Sequence, residues 1–490
     1  MSRGRISKNT AINMVGAILP MLLTLFTIPP YLRLVGDIRF GVLAMVWLLL
    51  SYFAIFDMGL GRATSRSIAQ MKMADDQERA SVFWTALLIN STFGIVGGFV
   101  LWAVAREFLG LWLNISAALR PELFSALPWL AAAVPVATNL SVMVGALEGR
   151  ERFLAVNSLQ VFSAAAFQLF PLAVAYWQGP NLKWLVGAAV VARLVSSLPL
   201  FFACRKVVPL TGVPRFNWDK SRDLFSFGSW ITVSGLLTPL MATLDRLLVG
   251  AMQGAQAVTY YTVPCNFATK FSMVPASLSR VLFPRFSRQS KPERQQLARR
   301  SLLALTALLT CAISITIPAV NPFFRAWIGP ELAARSSHIG ELLLVGIWVN
   351  SLSWIPSAEL QAHGRPDLVA KFHAIEFIPF LIALWIGLKC GGVQGAAIVW
   401  VLRVILDTAL LLNASGLLRR TFAPLVAGFS IMLLSAVLVR FTGDALMSRG
   451  ALALLVLGLS LAWAAMFARN ALPGPRHAFR LLQPSVGDAL

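Results

Sequence analysis

Apolar segments of about twenty residues recur along the whole chain, and they constrain its fold more than any other feature. A helix of this length crosses the hydrocarbon core of a bilayer, which is roughly 30 Å thick. With 57% hydrophobic and only 13% charged residues, and a mean hydropathy of +0.72, the 490-residue chain is too apolar for a water-soluble protein. The sequence therefore predicts an all-α integral membrane protein.

Each apolar segment predicts one membrane-spanning helix, and together they predict about 14 transmembrane helices. They cover residues 10–32, 40–60, 81–105, 123–147, 153–178, 182–204, 226–250, 257–282, 300–320, 338–361, 368–389, 392–414, 422–440 and 450–468. The first follows a short basic head without a small-residue cleavage site behind it, which predicts a retained span. Most of the 42 lysines and arginines fall in loops on the N-terminal side, so the positive-inside rule predicts cytoplasmic N- and C-termini. The net charge of +21 therefore indicates topology, and no nucleic-acid partner is expected.

The sequence lacks the residue patterns that are typical of enzymes and metal sites. Four cysteines, Cys204, Cys265, Cys311 and Cys390, stand far apart without metal-ligand spacing, so neither a metal nor another cofactor is predicted. The sequence also shows no nucleophile with a base at catalytic spacing. Every loop is short, whereas a membrane glycosyltransferase or ligase needs external structure to hold its acceptor. An enzyme is therefore the least favoured class.

The second half of the chain repeats short patterns of the first half in the same order. Gly16 and Pro20 match Gly235 and Pro239 with the same spacing. Further matches pair Thr24 with Thr243, Leu60-Gly61-Arg62 with Leu278-Ser279-Arg280, and Gly149-Arg150 with Gly364-Arg365. Because each repeat carries six spans, an even number, both lobes have the same topology and are related by an axis along the membrane normal. The repeat thus predicts two six-helix lobes with a cavity between them.

This repeat also predicts the domain boundaries. Residues 1–208 form the N-lobe with the first six spans, and residues 209–225 form a cytoplasmic linker. Residues 226–418 form the C-lobe with the next six spans. Residues 419–490 contain an added C-terminal helix pair and a cytoplasmic tail.

Glycines, prolines and charges at particular span positions are predicted to have gating or structural roles. The set comprises Gly16, Pro20, Gly235, Pro239, Asp57 and Arg62. Glycine and proline within spans let helices bend, which suits alternating access. Asp57 and Glu359 lie near the cytoplasmic ends of their spans, so we expect local roles such as capping, or pairing with Arg62 and Arg365 respectively.

Ionisable residues deep within spans are costly, at about 2.5–3.5 kcal/mol each, so each needs a partner or a function. The deep set comprises Arg193, Asp245, Arg246, Lys270, Glu376, Arg403 and Asp407. Arg403 and Asp407 are four residues apart on one helix face, so they can neutralise each other. Arg193 and Lys270 have no such local partner. Facing the cavity, cations of this kind are suited to hold an anion.

The deep charges therefore divide into two predicted sites. Arg193, Arg246, Lys270 and Arg403 are predicted to bind an anionic substrate such as a phosphate group. The acids Asp245, Glu376 and Asp407 either balance these charges when the cavity is empty, or take up a proton or Na⁺. The sequence leaves both roles open.

Five stretches in fixed order carry a family resemblance over nearly the whole chain. They are "PPYLRLVGDIRFGVLAMVWLLLSYFAIFDMGLGRATSRSIAQ", "LEGRERF", "TLDRLLVG" with "VTYYTVPCNFATKFSMVPASLSRVLFPRFS", "ELQAHGRPDLVAKFHAIEF" and "GGVQGAAIVW". The chain resembles Wzx-type polysaccharide and O-antigen flippases, the polysaccharide transporter family of the multidrug/oligosaccharidyl-lipid/polysaccharide exporter superfamily. The resemblance implies two six-helix lobes that open in a V, with a helix pair often appended.

The resemblance also implies a cargo and its surroundings. The cargo would be an oligosaccharide repeat unit joined by pyrophosphate to undecaprenol, flipped across the bacterial inner membrane for O-antigen, exopolysaccharide or capsule export. An H⁺ or Na⁺ gradient would drive the movement. Membrane lipids are the expected surroundings, and a polysaccharide polymerase with its export machinery is the candidate protein partner.

Two relatives within the superfamily remain alternatives at this stage. A multidrug or metabolite cation antiporter usually carries an acid in its first span, whereas residues 10–32 contain neither Asp nor Glu. A lipid II flippase is compatible with fourteen spans and with the modest repeat.

Overall fold

The computed structural model describes most of the chain, and the described part is almost entirely α-helical. It describes residues 19–20, 22–52, 57, 59–71, 76–112, 119–150, 152–208, 217–218, 241, 243–287, 289–442 and 445–467. Every regular element within these ranges is a helix. The all-α prediction is therefore confirmed.

The first compact unit runs from Met1 to Thr262. Its helices are α1 (Leu22–Val35), α2 (Asp37–Tyr52), α3 (Leu60–Gln70), α4 (Asp76–Trp112), α5 (Arg120–Gly149), α6 (Phe153–Gln178), α7 (Leu182–Val207), α8 (Leu244–Gln253) and the beginning of α9 (Ala255–Ala268). Helix α7 begins where the Asn181 side chain accepts a hydrogen bond from the Lys183 amide at 3.0 Å. This bond satisfies one of the amides that the first turn of a helix leaves unpaired.

The second compact unit runs from Val263 to Leu490. It contains the end of α9, a 3₁₀ turn (Thr269–Ser272), α10 (Met273–Phe286), α11 (Lys291–Ile328), α12 (Pro330–Ala362), α13 (Pro366–Ala414), α14 (Leu418–Phe441) and α15 (Leu446–Phe467). Ser290 and Glu293 form a capping box at the start of α11. The units divide after Thr262, whereas the repeat places the lobe boundary at residues 209–225, so the lobe assignment stays a prediction.

The chain is a multi-pass membrane protein. Among the described residues, nine helices are long and apolar enough to cross a membrane, namely α4 to α7 and α11 to α15. Helix α13 alone covers two of the predicted spans, 368–389 and 392–414. Those two spans meet at Gly392, whose backbone leaves the helical region with φ of 54°.

The two arms of α13, residues 366–391 and 393–414, run antiparallel as a tight hairpin. A Cβ on Gly395 would lie 1.9 Å from the Gly387 carbonyl oxygen, so the arms touch backbone to backbone. Farther from the turn, Phe380 contacts Arg403 and His373 contacts Asp407. This α13 hairpin therefore brings side chains of two consecutive spans face to face.

Short helices cross long ones at equivalent places in the repeat. Helix α3 crosses α5 so closely that a Cβ on Gly61 would lie 2.8 Å from the Ser141 carbonyl oxygen. In the second unit Ser279, the repeat match of Gly61, donates a hydrogen bond to the Trp354 carbonyl of α12 at 3.2 Å. The same crossing thus occurs in both halves, which agrees with the internal repeat.

Helix α2 contacts the beginning of α9 through side-chain hydrogen bonds and a close main-chain approach. Gln256 donates a hydrogen bond to the Asp37 carboxylate at 2.7 Å, and Thr259 donates to the Asp37 carbonyl at 2.6 Å. A Cβ on Gly41 would overlap the Ala255 carbonyl oxygen, at 1.8 Å. Glycine at position 41 therefore permits this close contact.

The C-terminal helices α14 and α15 are joined to α11 by buried polar contacts. Ser435 donates to the Ser314 carbonyl at 3.1 Å, and the Ser314 and Ser460 hydroxyls lie 3.0 Å apart. The indole of Trp463 on α15 donates to the Pro424 carbonyl on α14 at 3.0 Å. The predicted added helix pair is thus a packed part of the second unit.

Candidate functional site

The α13 hairpin gathers more of the predicted site residues than any other described element. Glu376 lies on its first arm, and Arg403 and Asp407 lie on its second arm. Both carboxylates are buried, with Glu376 3% and Asp407 5% exposed. His373, one turn before Glu376, places Nε2 3.5 Å from Asp407 Oδ1. The four side chains form what we call the hairpin charge cluster.

Within the hairpin charge cluster, Glu376 has neighbouring charges but no hydrogen bond. Neither of its carboxylate oxygens has a hydrogen-bond partner among the described residues, and Asp407 Oδ1 has none either. Its ionisable neighbours are Asp407, Arg403 and His373. Since buried polar groups usually have a hydrogen-bonding partner, an unsatisfied buried carboxylate marks a site with a function to explain.

Arg403 does not pair with Asp407 in the structure, contrary to the expectation from their spacing. The Arg403 guanidinium instead lies 5.2 Å from the ring centroid of Phe380 on the opposite arm. Asp407 has His373 as its neighbour. The facing arm of the hairpin offers closer partners than the next turn of the same helix.

The adjacent pair Asp245 and Arg246 lies in the first turn of α8. Asp245 is 2% exposed, and it accepts a hydrogen bond from the Tyr261 hydroxyl on α9 at 2.7 Å. Its other oxygen accepts a hydrogen bond from the Arg246 amide in the same turn, at 2.8 Å. Asp245 therefore has an inter-helix partner, and its role in ion coupling stays a prediction.

Arg193 on α7 lies against an aromatic group of the first unit. Its guanidinium is 4.9 Å from the centroid of Phe167, which is 6.0 Å from Trp47. Tyr31 packs edge-on against Trp47 at 5.5 Å. In the described part of the chain no acid pairs with Arg193, so its charge is held by cation–π contact alone.

Lys270 lies in the 3₁₀ turn that interrupts the eighth predicted span. This turn separates α9 from α10, and Phe271 beside Lys270 contacts Phe267 at 6.2 Å. A 3₁₀ turn within a long helix often marks a hinge. Lys270 therefore lies where the chain changes from α-helix to a 3₁₀ turn.

Asp57 is held by neighbouring helices. Asn90 donates to its carboxylate at 2.7 Å, and the Ser141 hydroxyl donates to the same oxygen. Arg62 is exposed and acts on Asp57 only at longer range. The local role of Asp57 is therefore to bond to α4 and α5, and not to pair with Arg62.

Two remaining sequence predictions have different outcomes. Glu359 pairs with Arg294 on α11 at 2.5 Å, so the expected pairing with Arg365 is wrong. Pro20 lies at the described start of the first span, where its carbonyl accepts a bond from Thr24 at 2.9 Å. Gly16, Gly235 and Pro239 lie outside the described residues.

Sequence reasoning missed the partners that the structure gives to the acids, among them His373, Tyr261 and Asn90. Each lies on a different helix or arm from the acid that it contacts, so sequence spacing gives no signal for it. The acids themselves were found because charges stand out in apolar spans. That the four predicted bases line one cavity stays a prediction.

Comparison with protein families places the chain beside known membrane proteins of polysaccharide assembly. The family described as "Polysaccharide biosynthesis protein" matches residues 6–290, more than half of the chain. A relative from Shigella flexneri named "Putative O-antigen transporter" is 30% identical over 407 residues, which cover 83% of this chain and 96% of the relative. The "Lipopolysaccharide biosynthesis protein WzxC" of Escherichia coli (strain K12) is 22% identical over 385 residues, 77% of this chain and 74% of the relative.

A solved structure extends this similarity to the fold. The lipid II flippase MurJ in an inward closed conformation superposes with a TM-score of 0.71, covering 93% of this chain and 98% of that chain. The two sequences are only 12% identical, so the likeness concerns the fold alone.

Proposed function

Because the chain belongs to the polysaccharide biosynthesis protein family, we propose that it is a flippase for undecaprenyl-pyrophosphate-linked oligosaccharide repeat units. It moves them across the bacterial inner membrane for export as O-antigen, exopolysaccharide or capsule, by alternating access and without catalysing a reaction. Its N- and C-termini are cytoplasmic. The similarity to the O-antigen transporter relative over 96% of that protein carries this proposal.

The deep bases supply the substrate-binding groups. Arg193, Arg246, Lys270 and Arg403 bind the pyrophosphate, because guanidinium groups grip phosphate oxygens in a bidentate way and lysine adds a point charge. The cation–π setting of Arg193 supports this role, since it leaves the hydrogen-bond donors of the guanidinium available. The polyprenyl tail remains in lipid.

The deep acids supply the coupling to an ion gradient. Glu376 and Asp407 lie together in the hairpin charge cluster, where Glu376 has no hydrogen-bond partner within the described ranges. Asp245 is the third candidate, although Tyr261 already occupies one of its oxygens. A proton or Na⁺ bound at these acids would be released when the cavity changes sides.

Deleting the gene from its source bacterium tests the proposed function. We expect loss of surface polysaccharide and accumulation of undecaprenyl-pyrophosphate-linked repeat units on the cytoplasmic leaflet, both reversed by the wild-type chain. Unchanged surface polysaccharide contradicts the proposal. Accumulated lipid II with cell lysis would favour the lipid II flippase, and drug sensitivity alone would favour a cation antiporter.

A further inference from the structure

The hairpin charge cluster has one negative charge more than its fixed positive charge balances. Glu376 and Asp407 supply two carboxylates, whereas Arg403 supplies the one group that is always charged. The described helices packed against the hairpin supply no cation that balances this excess negative charge. On α12, His338 lies beside Glu341, and Arg294 of α11 pairs with Glu359. The basic residues of α14 are exposed. A full negative charge would be costly in this buried position.

The chemistry of the cluster favours a proton over Na⁺ as the balancing cation. A hard metal cation requires a shell of several oxygen ligands. Here the groups beside the two carboxylates are the Arg403 guanidinium, whose positive charge repels a metal ion, and the His373 imidazole, which supplies no oxygen ligand. In the described part of the chain, no cluster of three or more metal-ligating side chains includes these acids. A proton needs only one carboxylate oxygen.

We propose that Glu376 and Asp407 share a single proton, that His373 exchanges it with water, and that this proton is the coupling ion. This inference rests on the proposed flippase function and identifies the ion that drives it. In the exchange, the free ring nitrogen of His373 first takes a proton from hydronium. The N–H bond at Nε2 then breaks as an O–H bond forms at Asp407 Oδ1, across the 3.5 Å between these atoms, which leaves a neutral imidazole. The His373 side chain is 18% exposed, whereas the two carboxylates are buried, so it is the outermost of the three groups.

Infrared difference spectroscopy on the purified full-length protein tests the shared proton without needing the substrate. The protein would be placed in vesicles of phosphatidylethanolamine and phosphatidylglycerol and titrated with base. We expect the carbonyl band of a protonated carboxylic acid at neutral pH, and its disappearance as the pH rises. The band should be missing in Glu376→Gln and in Asp407→Asn, and unchanged when NaCl replaces choline chloride.

Two variants on the same hairpin provide the controls. Asp367→Asn removes an exposed carboxylate that pairs with Lys371, and we expect it to leave the band unchanged. His373→Gln should keep the band but slow its disappearance after a sudden rise in pH, because the group that exchanges the proton is removed. A purely structural role for His373 would not change this rate.

Each outcome decides a separate question. Absence of the band from the wild-type protein overturns the shared proton, and a band that Na⁺ abolishes assigns the site to Na⁺ instead. If the band is present but a pH gradient fails to accelerate transport in these vesicles, the proton does not couple to transport. None of these results bears on the gene deletion, which tests the flippase proposal independently.

Discussion

Tyr261 and Asp245 show how single side chains hold the helices of this protein together. The Tyr261 hydroxyl is the donor to a carboxylate that is almost fully removed from solvent. Removal of a donor from a buried charged acceptor costs more than the net energy of a surface hydrogen bond. The pair therefore holds the first turn of α8 against α9.

Tyr261→Phe should lower the free energy of unfolding by about 1–3 kcal/mol, because Asp245 is left with an unsatisfied buried oxygen. The measurement is the Tm of the purified protein in detergent. Tyr176→Phe is the matched control, since Tyr176 is 73% exposed, and its Tm should equal that of the wild type. Equal Tm values for both variants would show that the hydrogen bond contributes nothing.

Arg246→Ala and Lys270→Ala test the predicted pyrophosphate site. We expect each to abolish polysaccharide export in the deletion strain, because the cavity loses a cation that holds the phosphate oxygens. Immunoblots should show wild-type amounts of protein in the membrane. Arg280→Ala removes an exposed base on α10 and should leave export intact. Full export by both test variants contradicts the site.

Glycines determine which helices can approach each other in this chain. The α13 hairpin depends on Gly387 and Gly395, whose backbones touch, and on Gly392, whose positive φ turns the chain. At the α2–α9 contact, Gly41 has the same importance. At Gly41, Gly387 and Gly395 the neighbouring helix leaves no room for the methyl group of an alanine.

Gly395→Ala should destabilise the protein by about 1–3 kcal/mol, because the new Cβ collides with the Gly387 carbonyl. Gly391→Ala is the control four residues away, where a Cβ has nothing within 4 Å. Tm in detergent and the monodisperse fraction on size exclusion measure the effect. An equal fall in Tm in both variants would mean that any substitution near the turn destabilises the protein, and that the close contact has no separate effect.

The α2–α9 contact provides a test of alternating access. In a variant whose native cysteines are replaced, a short bis-methanethiosulfonate reagent should cross-link Asp37→Cys with Gln256→Cys, since the two side chains meet at their ends. If α2 and α9 separate during transport, the cross-link should stop export and reduction should restore it. Continued export by the cross-linked protein would show that this contact stays closed throughout the cycle.

The sequence predicted the positions of the helices better than it predicted which side chains contact each other. Apolar length predicted spans 368–389 and 392–414, which are the two arms of the α13 hairpin. Helix α3 was missed because it is short and amphipathic and follows an apolar run directly. Arg403 and Asp407 were placed on the correct helix but given the wrong partner, since spacing along one helix cannot show what a facing arm supplies.

Topology concerns the molecule as a whole, and a native cysteine tests it. Cys390 is exposed next to the turn of the α13 hairpin, whereas Cys204 and Cys265 are buried. With cytoplasmic termini, this turn faces the periplasm. A membrane-impermeant maleimide should therefore label intact spheroplasts, and Cys390→Ser should abolish the labelling. Labelling of Cys390 only after lysis would reverse the topology.

The tight turn at Gly392 also has a consequence for biogenesis. Because the two arms follow each other almost without a loop, we expect the translocon to release them into lipid as one paired unit. His373 and Glu376 then meet Arg403 and Asp407 before either arm is surrounded by acyl chains. The charges that an isolated helix would carry at about 2.5–3.5 kcal/mol each are thereby partnered during synthesis, so the hairpin assists its own entry into the bilayer.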